Sequence, residues 1–517
     1  MPGRVRFRAL LFAVVILLLL AIAAHRVLYR YGRPPATHPL LPISAEPVSL
    51  TTPTPTQEEL RSLVAGSNIV ICVIDAARVD HVGCYGYSRD TTPNIDRLAG
   101  QSVVFEQHFC QYSETKPSTA SLFTSLYPDS HLTFAKRTMT GPAFTIAQGL
   151  KAAGFHNGFF SSNHWASPQM GIGGDFDWIR PDLHPGGGPR GRGPQGSSRP
   201  ASRGQVSIRD PGSLLALIQE WLEQPPPQPF SAYFHFLPPH TPYNAPDEFK
   251  EVFAGKPVPS FWRGKYPFRG IIEKGGPTEH KSPSPELVNL YDANLLWADW
   301  AVGEVERLLR EAGVFENTLF IVTADHGETF GEHGYKWHPP CPYDEVIRIP
   351  LLIKFPGDEG PRGRVRSLTQ SIDVLPTILD LYQAPCPTDE VQGRSLLPLL
   401  TGEADKINDY IFARTRGTPP AYVVHDLRSA LLLYEGGKLR ALYDLAADPW
   451  QTRNVIEEQP ERAAELTEVF RRFALGQRNP PLHFVDADAA TGDLPPVPEV
   501  RMSEESRREL KALGYLD

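Results

Sequence analysis

Two apolar runs, Asn68-Ile69-Val70-Ile71-Cys72-Val73-Ile74 and Leu319-Phe320-Ile321-Val322-Thr323, each break off at an acidic end. The first ends in Asp75, the second in Ala324-Asp325-His326-Gly327-Glu328. Runs this short, this apolar and this rich in β-branched residues read as strands buried on both faces. Further strand-like runs alternate with helical stretches. A helix opens at Thr92-Pro93, with proline at its first position, before a strand at Val103–Phe109. A helix is expected after Thr115, and another over Phe144–Ala153 closed by Gly154. Phe230–Phe236 is a further buried strand, and Tyr291–Ala312 a long helix stopped by Gly313. The alternation predicts an α/β fold with a large, mostly parallel central sheet flanked by helices. Ligands of such sheets gather at the carboxyl ends of the strands, where Asp75 and Asp325 fall.

The rest of the chain divides by composition. Residues 1–33 carry six arginines and no acid around sixteen consecutive apolar residues, Ala9 to Ala24. This segment is expected to be a membrane anchor, with a cleaved signal peptide as the alternative because Ala21-Ile22-Ala23 has the A-x-A form. Either reading places the body outside the cytoplasm: membrane-anchored, periplasmic or extracellular, or secreted if the segment is cleaved. Residues 34–59 are Pro/Thr-rich and read as a linker. Residues 60–400 then form the catalytic domain, interrupted at 184–204 by an insertion of seven Gly, four Pro and four Arg that cannot bury a core. From 401 to 517 the runs shorten. Tyr410–Thr415, Tyr422–His425, Ser429–Tyr434 and Leu439–Leu442 read as strands, the last two joined by a Glu435-Gly436-Gly437-Lys438 turn. With a helix from Pro460 to Leu475, they predict a small C-terminal lobe of antiparallel sheet plus helix.

The net charge is −8 although the first 33 residues are basic, so the body is acidic. That argues against nucleic acid as a partner, because binding its backbone requires a basic surface. Five scattered cysteines form neither a disulfide framework nor a zinc pattern, and Cys72 reads as a small buried residue.

Asp75, Asp325 and His326 offer hard oxygen and imidazole ligands for one divalent metal ion; calcium, magnesium, manganese and zinc are not distinguished. Thr115 opens Thr115-Lys116-Pro117-Ser118-Thr119, and its hydroxyl would complete the shell as a metal-activated nucleophile. Pro117 at the start of the following helix would aim free N–H groups at an anion bound there.

Together with Arg78-Val79-Asp80-His81-Val82-Gly83-Cys84-Tyr85-Gly86-Tyr87, Pro238-Pro239-His240-Thr241-Pro242, Gly331-Glu332-His333-Gly334 and Arg348-Ile349-Pro350-Leu351, these residues resemble the sulfatase branch of the alkaline phosphatase superfamily. The similarity spans nearly all of residues 66 to 517. It implies that His240 and His338 face the ester or its leaving group, with Lys336 beside His338. His235, one strand position away, is read as structural. Two departures stand out. Sulfatases carry a Cys or Ser, converted to formylglycine, where this chain has Thr115, and often a second metal-binding Asp where it has Ala76. Superfamily members with a threonine nucleophile work through phosphothreonine. The resemblance thus implies a metal-dependent hydrolase of phosphate or sulfate esters acting on an anionic glycan, lipid or small molecule. The alternatives are a membrane-anchored transferase of phospho-linked head groups and a non-catalytic sulfatase-like binding protein.

Overall fold

The computed structural model describes residues 49–50, 54–134, 143–168, 174–180, 210–224, 226–254, 285–338, 342–387, 389–416, 420–434 and 440–478. The N-terminal apolar segment, the Gly/Pro/Arg-rich insertion and the Glu435–Lys438 turn lie outside them. Among the described residues no helix is long and apolar enough to cross a membrane.

Fifteen strands are present among the described residues. β1 is Ser49–Leu50, β2 Asn68–Ile74, β3 Val103–Phe109, β4 His156–Ser161, β5 Trp178–Arg180, β6 Phe230–Phe236, β7 Thr318–Ala324, β8 Thr329–Phe330, β9 Lys336–Trp337, β10 Leu351–Lys354 and β11 Gly363–Gln370. Nine of these form the central sheet in the order β1-β11-β3-β10-β7-β2-β6-β4-β5, and β8 pairs with β9. The block β7-β2-β6-β4-β5 is parallel throughout. β10 runs antiparallel to both β3 and β7, and β1 antiparallel to β11. The predicted mostly parallel sheet is therefore present, with the β3–β11 pair parallel beyond the reversed strand.

Helices cover both faces. Pro285–Glu311 presents Leu287, Tyr291, Leu295, Ala298, Val302, Val305 and Leu309 at helical spacing to one face, all at most 5% exposed. Leu60 and Val64 of helix Gln57–Val64 and Leu375, Ile378 and Leu379 of helix Val374–Leu381 belong to the apolar cluster on the other face. Two elements lie inside the stretch expected to be linker: β1, and the start of helix Gln57–Val64, which Thr56 caps through a reciprocal Thr56/Glu59 box. A two-residue edge strand is too short to leave a periodic signal, whereas the Thr-x-x-Glu spacing was there to be read.

The C-terminal lobe has the predicted form. β12 (Ile411–Arg414), β13 (Ala421–His425), β14 (Ser429–Tyr434) and β15 (Arg440–Asp444) make an antiparallel sheet in chain order. Helix Pro460–Leu475 packs on it through Leu466, Phe470 and Ala474. The Arg414–Asp129 ion pair and a buried contact between His425 and Asp344 join the lobe to the main body.

Candidate active site at the carboxyl end of the sheet

The register of the parallel block dictates what meets at its carboxyl end. Ile74 of β2 lies opposite Ala324 of β7 and Phe236 of β6, so Asp75 and Asp325 emerge side by side. His235 projects from the last turnings of β6, and Asn163 follows β4 by two residues. Thr115 arrives from the β3 side as the first residue of helix Thr115–Thr124, preceded by Glu114 as N-cap. The helix was expected to begin after Thr115 with Pro117 at its start; instead Thr115 lies within it and Pro117 is its third residue. Ser118 N–H bonds the Glu114 carbonyl at 3.2 Å, and proline has no N–H. The Lys116 N–H is thus the first-turn donor that remains for an incoming anion.

Ligand atoms of Asp75, Asp325 and His326 all lie within 4.8 Å of one another. His326 Nδ1–H donates to the Gly327 carbonyl at 2.8 Å, which leaves the Nε2 lone pair facing inward. That nitrogen is 3.7 Å from Asp75 Oδ1, 3.6 Å from Asp325 Oδ2 and 3.3 Å from Thr115 Oγ1. The two carboxylate oxygens it faces are both buried and have no hydrogen-bond partner among the described residues. Every other oxygen of the pair is bonded. Asp325 Oδ1 accepts from the N–H groups of Ala76 (3.1 Å) and His326 (2.9 Å). Asp75 Oδ2 accepts from Asn163 Nδ2 (2.5 Å) and His235 Nε2 (3.2 Å). Two orphan anionic oxygens beside an imidazole lone pair, with all remaining valences tied down, fit a divalent cation. Gly327 permits the close turn that follows: a Cβ there would stand 2.1 Å from the Glu345 carbonyl oxygen.

Charge in this site is unevenly held. Burial opposes ionisation of Asp75, but His240, His235 and His326 together keep its carboxyl below the usual range. Asp325 is pushed up by burial and by the negative charge of Asp75. Lys116, 2% exposed, has its ammonium pushed down to about 8 by burial.

His240 and His338, about a hundred residues apart in the chain, meet with their Nε2 atoms 3.1 Å apart. Each Nδ1 sits against a carbonyl, Thr241 O at 2.6 Å and Ser113 O at 2.8 Å, so each Nδ1 is a donor. A hydrogen bond between the two Nε2 atoms would then require one extra proton held between them. Burial makes that proton costly to hold: His240 is depressed by burial and by His326, and His338 falls well below the usual imidazole range through burial and the nearby His326, His240 and Arg416. The His326 ring lies 4.7 Å from His338 and 6.2 Å from His240, centroid to centroid, so the pair borders the carboxylate cluster.

Of the residues anticipated, Asp75, Thr115, Asp325, His326, His240 and His338 therefore converge. The Lys336 backbone lies in β9, and its side chain is outside the described residues. Sequence reasoning left out two members. His235, read as structural, contacts Asp75 directly, with Nδ1 held by the Tyr233 hydroxyl at 2.8 Å. Asn163 contacts both Asp75 and, at 3.3 Å, Thr115 Oγ1. Placement of the β4 end beside β6 was the signal for Asn163. Arg78 instead belongs to a buried structural network, paired with Asp80 and Glu332.

This fold and its residues match known proteins. The profile of the family described as Sulfatase covers residues 67–384, and that described as N-sulphoglucosamine sulphohydrolase, C-terminal, covers residues 331–473. The chain belongs to the sulfatase family. An arylsulfatase of Clostridium perfringens (strain 13 / Type A) is 24% identical over 457 residues, covering 78% of this chain and 93% of that protein. A protein solved in complex with its substrate D-glucosamine-2-N,6-O-disulfate is 19% identical at a TM-score of 0.62, covering 83% of this chain and all of that one (100%). The phosphonate monoester hydrolase of Agrobacterium radiobacter is 22% identical at a TM-score of 0.61, covering 79% and 95%. At these identities the two solved structures share the fold with this chain.

Proposed function

We propose that this protein is a metal-dependent hydrolase of anionic esters in which Thr115 attacks the ester centre, with phosphorus preferred over sulfur. The observation that carries the reading is the position of Thr115 Oγ1, at a helix N-terminus and 3.3 Å from both His326 Nε2 and Asn163 Nδ2, at the edge of the two orphan carboxylate oxygens. A divalent cation held by Asp75, Asp325 and His326 would supply the positive charge that lowers the pKa of the Thr115 hydroxyl and offsets the charge of the bound anion.

The chain's own residues do the rest. Thr115 releases its hydroxyl proton to solvent as its oxygen bonds to phosphorus, while the bond from phosphorus to the leaving oxygen breaks. That oxygen takes the proton shared by His240 and His338, leaving a phosphothreonine. Water then attacks phosphorus, returns a proton to the histidine pair, and Thr115 leaves and regains its own. The N–H group of Lys116 stabilises the oxygens of the transferring group. Asn163 and His235 fix the Asp75 carboxylate, and Asn163 also orients Thr115.

The preference for phosphorus follows from the fate of the covalent intermediate. A formylglycine sulfate ester is released by elimination from its geminal hydroxyl, and threonine has no such hydroxyl. With aryl leaving groups matched, kcat/KM should be higher for phosphate mono- or diesters than for sulfate monoesters in the presence of calcium, magnesium, manganese or zinc. A sulfate preference of about tenfold, or ~1.4 kcal/mol in the transition state, would show that Thr115 does not set the substrate class.

A further inference from the structure

Lys116 is 2% exposed, and its Nζ has no hydrogen-bond partner among the described residues. An ammonium buried without an anion is a costly arrangement that a protein keeps for a ligand or replaces by a neutral side chain. Its surroundings are specific. Nζ stands 5.4 Å from the centre of the Trp165 ring. The Trp165 backbone N–H donates to Asn163 Oδ1 at 2.9 Å, and the side-chain amide nitrogen of the same Asn163 reaches Thr115 Oγ1 at 3.3 Å. One three-residue segment therefore runs from the nucleophile to the ammonium. Its middle residue is His164, whose Nε2 is also enclosed without a hydrogen-bond partner among the described residues. A second polar atom without a hydrogen-bond partner thus lies in the segment that borders Thr115, near enough to Lys116 to feel its charge, and Lys116 is the second residue of its helix.

We propose that Lys116 and His164 form an oxyanion subsite beside Thr115, which binds a negatively charged oxygen of the substrate. The inference rests on the reading of this region as the ester site but not on Thr115 being the nucleophile. The oxygen belongs either to the transferring group or to a second anionic group next to it on the substrate, which makes the natural substrate polyanionic. Lys116 is a binding residue in both cases.

The test uses the full-length, metal-loaded Thr115→Ala protein, so that no covalent chemistry contributes, with inorganic phosphate and pyrophosphate as probes. Both are expected to raise its melting temperature in proportion to occupancy. In Thr115→Ala/Lys116→Met the ligand-free melting temperature should hold or rise, since an uncompensated buried charge is gone, while affinity for at least one probe drops by about tenfold or more. Thr115→Ala/His164→Gln should weaken the same probe and supplies the answer if the lysine variant is poorly expressed. Equal loss for phosphate and pyrophosphate assigns the subsite to the transferring group; loss for pyrophosphate alone assigns it to a neighbouring anion. The proposal is overturned if neither probe binds, if both bind the lysine variant as tightly as its parent, or if Lys116→Met unfolds the protein, which would make Lys116 structural. A protein that binds phosphate through Lys116 yet turns over no ester would leave the subsite standing and remove the hydrolase reading instead.

Discussion

Thr115→Ala will fold and melt like the wild-type protein and will turn over no ester. Its hydroxyl is fully buried, with His326 Nε2 and Asn163 Nδ2 each at 3.3 Å. Glu114, rather than Thr115, occupies the N-cap position, so no cap is lost. Removing one hydroxyl hydrogen bond costs about 1 kcal/mol of stability. The effect on rate is of another order, because the covalent route disappears with the oxygen. Steady-state assays with an aryl phosphodiester and a thermal melt decide the matter. Undiminished kcat in a folded Thr115→Ala protein would remove threonine from the mechanism.

Asp325→Asn should separate the metal from the fold. Asparagine keeps an oxygen to accept the N–H groups of Ala76 and His326, so the turn after β7 is preserved. What changes is Oδ2, the orphan oxygen facing His326. In metal-free protein this substitution should hold or raise the melting temperature, because Asp325 carries a charge that burial and Asp75 both disfavour. Added divalent metal should then stabilise the wild type in a concentration-dependent way and leave Asp325→Asn unmoved. Catalysis should fall by at least about 10³-fold, in line with several kcal/mol of lost charge stabilisation. Equal metal-induced stabilisation of both proteins would place the cation elsewhere.

The residues legible in the sequence were those set at the ends of apolar runs. Asp75 and Asp325 could be paired from the alternation alone, because neighbouring parallel strands deliver their carboxyl ends to one edge. Thr115, His240 and His338 came through motif resemblance, and their meeting depends on loops whose paths no periodicity encodes. Asn163 was hidden for a different reason: Ser161-Ser162-Asn163-His164 looks like any polar turn until β4 is known to lie next to β6. His235 was read as structural, and it sits inside a strand that is buried along its whole length. Here its ring spans from the Tyr233 hydroxyl to the Asp75 carboxylate. The reversal of β10 between β3 and β7 was also illegible, since a four-residue run carries no sign of direction.

The central claim is that Thr115 carries the transferring group. Its most direct test is to mix the full-length, metal-loaded protein with an aryl phosphodiester, quench in acid within the first turnovers, and map the peptides by mass spectrometry. The account predicts a phosphoryl adduct on Thr115, formed at the rate of aryl release and absent from Thr115→Ala. Full turnover with Thr115 unmodified at every quench time, or an adduct on another residue, would contradict it.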